Sequence, residues 1–503
     1  MIIIEIPPQN SLKKRLIRIN YKNVILTILV IFFFVFAIFF IAKPGTLAAI
    51  FQKQAENSNT TNSTPEQTNL IKTMVNNSTD LASSIIEPKL KHKDYLTSVL
   101  LIGMDTRFVK YENGSFSNNA PQNKGDSRNT DTIMQIVYDN LNENVFMISI
   151  PRDMGSDVNE TCLNYHASVN EIFDRAEKKQ CLGGGIAVLK KTIENMTGIE
   201  IQYYGIVTID AFQEIVNTIG EKNDQGKIGI RLDNPTAFTD YYPITNGNGF
   251  EKVYFAKGEI FLTGEQAIKY VRTRQTSSDF SRIRRQQDFI LALKNSALKS
   301  EVILNPQKVL HLLQIFNEKT MFTSPNLEEI RAGIEILQNS SNLKFYHIFL
   351  DPNLGGNEAY IDKQPNGRPG GAYYMTPTAW KQCPGNEFCQ VKEYIANAIS
   401  NPLVFNENAT IAVYSQISKQ SKPDFSNSKY QEFKNGHYNQ ILVENKNTVS
   451  TELTDNLLLF DFSEGNKPFT IKFLEEKLGI TAVPGSSQAS LRKNGEDFVI
   501  VMK

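Results

Sequence analysis

The sequence predicts an α/β fold preceded by one membrane-spanning helix and followed by a small α+β unit. Three observations carry this prediction. Short apolar runs of buried-strand type stand at Ser98–Gly103, Ile133–Tyr138 and Val145–Ile150. From Ser168 onward, apolar residues recur at helical spacing between further runs of strand type. Each of the first three strands has an Asp and an Arg at one end: Asp105 with Arg107, Asp131 with Arg128, Asp153 with Arg152. Charged residues at strand ends are what the ligand edge of an α/β sheet presents.

The N-terminal part reads as an anchor and a stalk. Lys13, Lys14, Arg15, Arg18 and Lys22 precede an apolar run from Val24 to Ala42 that only Thr27 interrupts. A helix of that length spans a bilayer, and the basic cluster places residues 1–23 in the cytoplasm. A cleaved signal peptide would have a shorter apolar region and a small-residue cleavage site. Ile41–Ala49 is a weak candidate for one, so residues 24–42 are read as an uncleaved, single-pass anchor. Residues 43–94 are rich in Asn, Ser, Thr and Gln and read as a stalk, with helical spacing at Leu70, Ile71, Met74 and Val75. Everything after the anchor is expected outside the cytoplasm.

The main domain is expected over residues 95–400. After the Ser98–Gly103 strand comes a polar loop, about Tyr111–Gly125, and then two strands joined by a hairpin at Asn140–Glu143. Ser168–Phe173 begins a helix that continues to Gln180. Gly183, Gly184 and Gly185 open the next helix, to Met196; such a start can bind an anion or be only a turn. Ile201–Ile209 is a strand, and Asp210 is expected to cap the helix Ala211–Ile219. Residues 220–258 look irregular apart from a strand at Ile228–Leu232. Further helices are expected around Val309–Phe316 and Leu327–Leu337, a strand at Leu343–Leu350 and a long loop over Asp351–Thr378. Residues 401–408 read as a linker. The accessory unit, 409–503, has strands at Thr410–Tyr414 and Phe498–Val501, a helix at Phe469–Leu478, and no cluster of catalytic residue types.

The stretch Leu262–Gln287 is the most basic element of the main domain, with Arg272, Arg274, Arg282, Arg284 and Arg285. A helix starts near Thr263, ends in Val271–Arg274, and is followed by a polar loop. A second helix starts near Phe280 and sets Ile283, Ile290, Leu293 and Ala297 against a core. Arg282 and Arg285 share one face of it, and Arg284 points elsewhere. Guanidinium forks on fixed helices suit phosphate or carboxylate; the plainer alternative is a solvated charged surface.

Charge is balanced, 53 basic against 53 acidic residues, and aromatic and basic residues do not interleave, so no nucleic-acid partner is expected. Four cysteines fall into two sequence-close pairs, Cys162 with Cys181 and Cys383 with Cys389. Outside the cytoplasm they read as disulfides, with a zinc site or free core thiols as alternatives. Carboxylates without His or Cys select a hard cation, Mg2+ (or Mn2+). With arginines beside them, they point to a metal-bridged pyrophosphate.

The motifs Gly103-Met-Asp-Thr-Arg107, Arg128-Asn-Thr-Asp-Thr132, Ser149-Ile-Pro-Arg-Asp153, Ser168-Val-Asn-Glu171, Gly183–Gly185 and Tyr270-Val-Arg-Thr-Arg274 through Asp279 to Gln286 follow one another in order. In this the sequence resembles the LytR-CpsA-Psr family of cell-wall glycopolymer transferases, strongly over about Ser98–Leu298. The C-terminal part is similar, more weakly, to the small domain often appended to that family. The resemblance implies an α/β/α sandwich with a mixed central sheet and an apolar pocket for a polyprenyl chain. It implies transfer of a glycopolymer from a polyprenyl-(pyro)phosphate carrier to a muramic acid hydroxyl of peptidoglycan. It implies Asp105 and Asp131 as metal-associated carboxylates. Arg107, Arg128, Arg152, Arg272, Arg274, Arg282, Arg285 and Gln286 are implied as pyrophosphate contacts. Asp105 or Asp153 is the expected base for the acceptor hydroxyl. Ser168 stands where the family commonly has Lys, and residues 162–181 and 220–258 are longer than usual. A polyprenyl-pyrophosphate phosphatase and a non-catalytic lipid-carrier-binding scaffold are the alternatives that share these features.

Overall fold

The structure, a computed structural model, describes residues 90–104, 111–112, 115–116, 129–243, 249–273, 279–297, 299, 302, 305–323, 329, 332, 336, 343–350, 361–364, 374–377, 387–416, 424–435, 443–449, 455–493 and 495–502. The expected span 24–42, the stalk up to residue 89, Asp105, Arg107, Arg128, Arg274 and Cys383 lie outside them. Among the described residues no helix is long and apolar enough to cross a membrane.

The elements confirm an α/β chain. In order they are β1 (Leu96–Met104), β2 (Thr130–Asp139), β3 (Asn144–Ile150), β4 (Gly155–Glu160), β5 (Leu163–Ser168), α1 (Val169–Lys178), α2 (Gly184–Thr197), β6 (Tyr203–Thr208), α3 (Ile209–Ile219), β7 (Ile228–Asn234), β8 (Phe238–Pro243), β9 (Phe250–Phe255), β10 (Gly258–Thr263), α4 (Gly264–Arg272), α5 (Asp279–Ala297), α6 (Pro306–Lys319), β11 (Thr320–Phe322) and β12 (Lys344–Phe349). Then follow β13 (Ile361–Gln364), β14 (Tyr374–Pro377), α7 (Cys389–Ser400), α8 (Pro402–Glu407), β15 (Thr410–Gln416), α9 (Ser428–Asn435), β16 (Val443–Val449), β17 (Leu457–Asp461), α10 (Pro468–Leu478), β18 (Val483–Pro484) and β19 (Phe498–Met502).

The central sheet has the strand order β11-β6-β1-β2-β3-β12. It is mixed: β1 runs parallel to β6, with Leu101 opposite Gly205, and β11 runs antiparallel to β6. All seven residues of β3 are buried, as a strand covered on both faces requires. The chain clusters into two compact units, residues 1–127, 134–147 and 201–345 in one, residues 128–133, 148–200 and 346–503 in the other.

In the first unit, α3, α4, α5 and α6 close over a core that includes Ile215, Ile230, Leu262, Tyr270, Phe289 and Phe316. Helix α4 starts as its sequence predicts: Thr263 and Gln266 form a capping box. Helix α3 differs from expectation. Thr208 is its N-cap, accepting from the Ala211 N–H, and Asp210 lies in the first turn instead. Residues 220–258 are not irregular. They hold β7, which pairs with β10, and the β8–β9 hairpin. β7 is the strand expected at Ile228–Leu232, two residues longer; the hairpin was hidden by its polar and aromatic composition, although its burial alternates inside and outside with the period of a strand.

In the second unit, β4 and β5 form a hairpin, and α1 packs on α2. The approach is close: a Cβ on Gly185 would stand 2.4 Å from the Phe173 carbonyl oxygen. The Gly185 N–H donates to the Glu177 carboxylate at 2.5 Å. The glycine-rich helix start therefore does hold an anion, and that anion is the protein's own side chain. Cys162 and Cys181 are joined in a disulfide, Cα to Cα 5.3 Å. Cys389 is also disulfide-bonded. The segment read as a long loop holds the β13–β14 pair. Residues 402–407, read as linker, are helix α8, whose Glu407 accepts from the Phe469 and Thr470 N–H groups at the start of α10. The C-terminal residues form a sheet of order β16-β15-β19-β17-β18 around Ala412, Tyr414, Phe460, Val499 and Val501.

Candidate functional site

The carboxylate group of the site is built where β2 begins and β3 ends. Arg152, on the turn after β3, donates from Nη1 to Asp131 Oδ1 at 2.6 Å, and its Nε lies 3.6 Å from Asp153 Oδ2. All three side chains are half-buried, with 15%, 26% and 18% of their surface exposed. They are thus reachable from solvent yet fixed, and an ion pair of this geometry at a surface contributes little to stability. The turn itself is clamped. The Arg152 carbonyl accepts from the Asn170 N–H at 3.1 Å, the Met154 carbonyl from Val169, and the Asp153 carbonyl from Met375. Asn170 thus grips the turn through its backbone N–H. Glu171 pairs with Arg175 one turn on.

The arginine corner belongs to α4 and α5. Helix α5 buries Arg282 and Arg285, 5% and 6% exposed, and leaves Arg284 in solvent, the division of faces that spacing predicts. The structure gives Arg285 a specific occupation. Its Nε donates to the Tyr270 carbonyl at 3.0 Å and its Nη2 to the Thr273 carbonyl, both at the C-terminal end of α4. Its guanidinium lies 4.5 Å from the Phe238 ring centroid. Gln286 donates to the Val271 carbonyl at 3.2 Å. These carbonyls are among those that a helix leaves without an internal partner, and cations suit that end of the dipole. Burial pushes the Arg285 guanidinium below its ordinary pKa, with Arg282 pushing the same way and Asp240 opposing. Arg272 donates from Nη1 to the Tyr242 hydroxyl at 2.9 Å. Burial raises the Asp288 carboxyl above its usual range, with Arg284 partly opposing.

Asp131, Arg152 and Asp153 are therefore together, as are Arg272, Arg282, Arg285 and Gln286. Sequence reasoning missed Phe238, Asp240 and Tyr242, because the hairpin that carries them was not recognised. The alternation of the two strands shows in their burial and not in their residue types, so the sequence carried no periodic signal for it.

Among the described residues no group of three or more His, Cys, Asp or Glu is arranged to hold a metal. The expected Asp105–Asp131 pair has one member outside them. The donors that are described still fit a hard cation. Asp131 and Asp153 offer carboxylate oxygens. On the adjoining segment, Asn170 Oδ1 is buried without a hydrogen-bond partner. An all-oxygen set of this kind suits Mg2+.

A model of the LytR_cpsA_psr family matches residues 47–362, well over half of the sequence, and the chain belongs to that family. Among its relatives is the polyisoprenyl-teichoic acid–peptidoglycan teichoic acid transferase TagV of Bacillus subtilis (strain 168). It is 24% identical over 263 residues, covering 51% of this chain and 58% of its own length. The matched region thus spans less than two thirds of that relative. The transferase TagU of Bacillus mycoides (strain KBAB4) is 26% identical over 306 residues, covering 60% of this chain and 81% of its own. The crystal structure of B. subtilis TagV is similar over 61% of this chain and 98% of its own, with 21% identity and a TM-score of 0.41.

Proposed function

We propose that the chain is a membrane-anchored, extracytoplasmic phosphotransferase. It attaches a glycopolymer from a polyprenyl-(pyro)phosphate carrier to peptidoglycan and depends on Mg2+. The observation that carries this reading is the Asp131–Arg152–Asp153 cluster, partly buried yet reachable from solvent on a clamped strand end, in a chain of this family. Its relatives are named for transfer of teichoic acid from a polyisoprenyl carrier to peptidoglycan. Buried guanidinium groups on α5 add the anion chemistry, and disulfides support an oxidising compartment outside the cytoplasm.

In this mechanism Asp131, with Asp105, would hold the metal, which when bound neutralises phosphate oxygens of the carrier. Arg152 keeps Asp131 and Asp153 in place and offers its fork to phosphate oxygen. Arg272 and Arg282, with Arg107, Arg128 and Arg274, bind the pyrophosphate. Asp153 or Asp105 takes the proton of the acceptor hydroxyl.

The test is full-length protein in detergent with a lipid-linked glycan, peptidoglycan oligomers and Mg2+. Wild type is expected to form the glycan–peptidoglycan phosphodiester. Asp131→Asn is expected to lose transfer by about 100-fold or more, the scale of removing one electrostatic stabiliser. Release of inorganic phosphate without transfer would assign a phosphatase instead. Full transfer by Asp131→Asn would remove the metal-site assignment.

A further inference from the structure

We infer that the outer face of the β8–β9 hairpin docks on an anionic lipid bilayer. The hairpin has two unlike faces. Its register pairs Phe238 with Phe255, Asp240 with Val253 and Tyr242 with Glu251 on one face, and Thr239 with Tyr254, Tyr241 with Lys252 and Pro243 with Phe250 on the other. The first face is turned inward: Phe238, Phe255 and Tyr270 form an aromatic cluster with centroids 5.0 to 5.8 Å apart. Asp240 is fully buried, and Glu251 pairs with Lys269 at 2.8 Å. On the other face Tyr254, Phe250 and Tyr241 are 66%, 56% and 44% exposed, and Pro243 and Lys252 are exposed beside them.

Three large aromatic side chains in solvent on one small face mark an interaction surface. Its chemistry selects the occupant. Tyr and Phe around a Lys make up the composition of a membrane–water interface, where the rings sit at headgroup depth and the lysine reaches the phosphates. Among the described residues this face carries no carboxylate, since both acids of the hairpin lie on its other face, Asp240 buried and Glu251 paired with Lys269. It therefore complements a negative surface. A glycan platform would place amides or carboxylates beside the rings to read hydroxyls, and none stands among the described residues of this face.

The chain outside the described residues points the same way. The apolar run 24–42 reads as a span, and residues 43–89 separate it from Leu90. That segment reaches at most roughly 160 Å when extended. It keeps the domain near the bilayer without choosing which face meets it, and a second, weaker contact would make that choice. The inner face of the same hairpin holds Arg272 through Tyr242 and Arg285 through Phe238. Docking would bring the arginine corner to headgroup level, where a lipid-borne phosphate lies; this last step rests on the function proposed above.

The test uses the full chain reconstituted into phosphatidylglycerol vesicles with brominated acyl chains. The chain has one tryptophan, so Tyr254→Trp combined with Trp380→Phe places a sole indole on the hairpin. Leu182→Trp in the same background serves as control, at a residue 98% exposed on another segment. The indole at 254 is expected to be quenched and blue-shifted, the indole at 182 neither. Lys252→Gln is expected to weaken this contact roughly fivefold in phosphatidylglycerol and little in phosphatidylcholine. Equal quenching at both positions, no quenching at 254, or protection of 254 by peptidoglycan fragments in place of the bilayer overturns the inference. Transfer from a short-chain, soluble donor in detergent separates the two readings. Transfer without quenching sinks docking alone; quenching without transfer sinks the phosphotransfer reading alone.

Discussion

Replacing Arg285 by Met tests whether this arginine serves the fold of the corner or touches the ligand itself. The side chains are of similar length, so the main loss is polar. Hydrogen bonds from a charged donor are worth about 1.5–3 kcal/mol each, and the contact with Phe238 adds roughly 0.5–2 kcal/mol. Removing the charge also removes the cost of burying it, several kcal/mol by the usual scale. These terms largely offset. What remains is the pair of carbonyls at Tyr270 and Thr273 left without their donors, at about 1–3 kcal/mol each. A local destabilisation of about 2–6 kcal/mol follows, equivalent to roughly 30- to 20,000-fold in an opening equilibrium. The assay is hydrogen exchange of the full-length protein, read at the Thr273 amide, which donates to Lys269 at 3.1 Å, and at the last turn of α4. Exchange there should accelerate by that factor while helix α10 of the C-terminal residues is unchanged. Arg285→Lys, which can still reach one carbonyl, should lose less. If Arg285→Met abolishes transfer but exchanges like wild type, Arg285 contacts the ligand and the brace is refuted.

Three further outcomes follow from the packing and the pKa shifts. Gly185→Ala is expected to cost about 1–3 kcal/mol by overpacking against the Phe173 carbonyl, seen as a lower denaturation temperature; an unchanged midpoint would mean that α1 and α2 separate freely. Cys162→Ser with Cys181→Ser opens a crosslink of sequence separation 19 and is expected to cost roughly 3 kcal/mol in urea unfolding. Burial raises the Glu387 carboxyl above its ordinary pKa, with donors from Asp157 and Ser156 partly opposing. The folded state then binds the proton more tightly, so stability falls as pH rises from the ordinary glutamate value through the raised one. Glu387→Gln should stabilise at neutral pH and lose that advantage near pH 4, as followed by thermal unfolding. A pH-independent difference would remove the assignment.

Much of the framework was legible because it rests on simple periodicities. The runs at Ser98, Ile133 and Val145 are strands because continuous apolar sequence suits a sheet covered on both faces. The split of Arg282 and Arg285 from Arg284 followed from helical spacing alone. What spacing did not reveal was how a buried arginine is used. Arg282 and Arg285 look alike in sequence, yet Arg285 spends two donors on the end of α4. The hairpin over residues 238–255 escaped because a polar, tyrosine-rich strand resembles a loop in composition. Asp210 was taken for a cap because Asp commonly is one, but Thr208 is the residue whose hydroxyl reaches the free N–H. Tertiary placement decided each of these.

The Cys162–Cys181 crosslink encloses the whole of α1, and with it the amides of Val169 and Asn170 that grip the turn carrying Arg152 and Asp153. The oxidation state of two sulfur atoms is thereby wired to the backbone beneath the carboxylate cluster. A chain still reduced would carry every candidate residue but a slacker grip on that turn. Closing the bridge is therefore expected to slow hydrogen exchange at the Val169 and Asn170 amides.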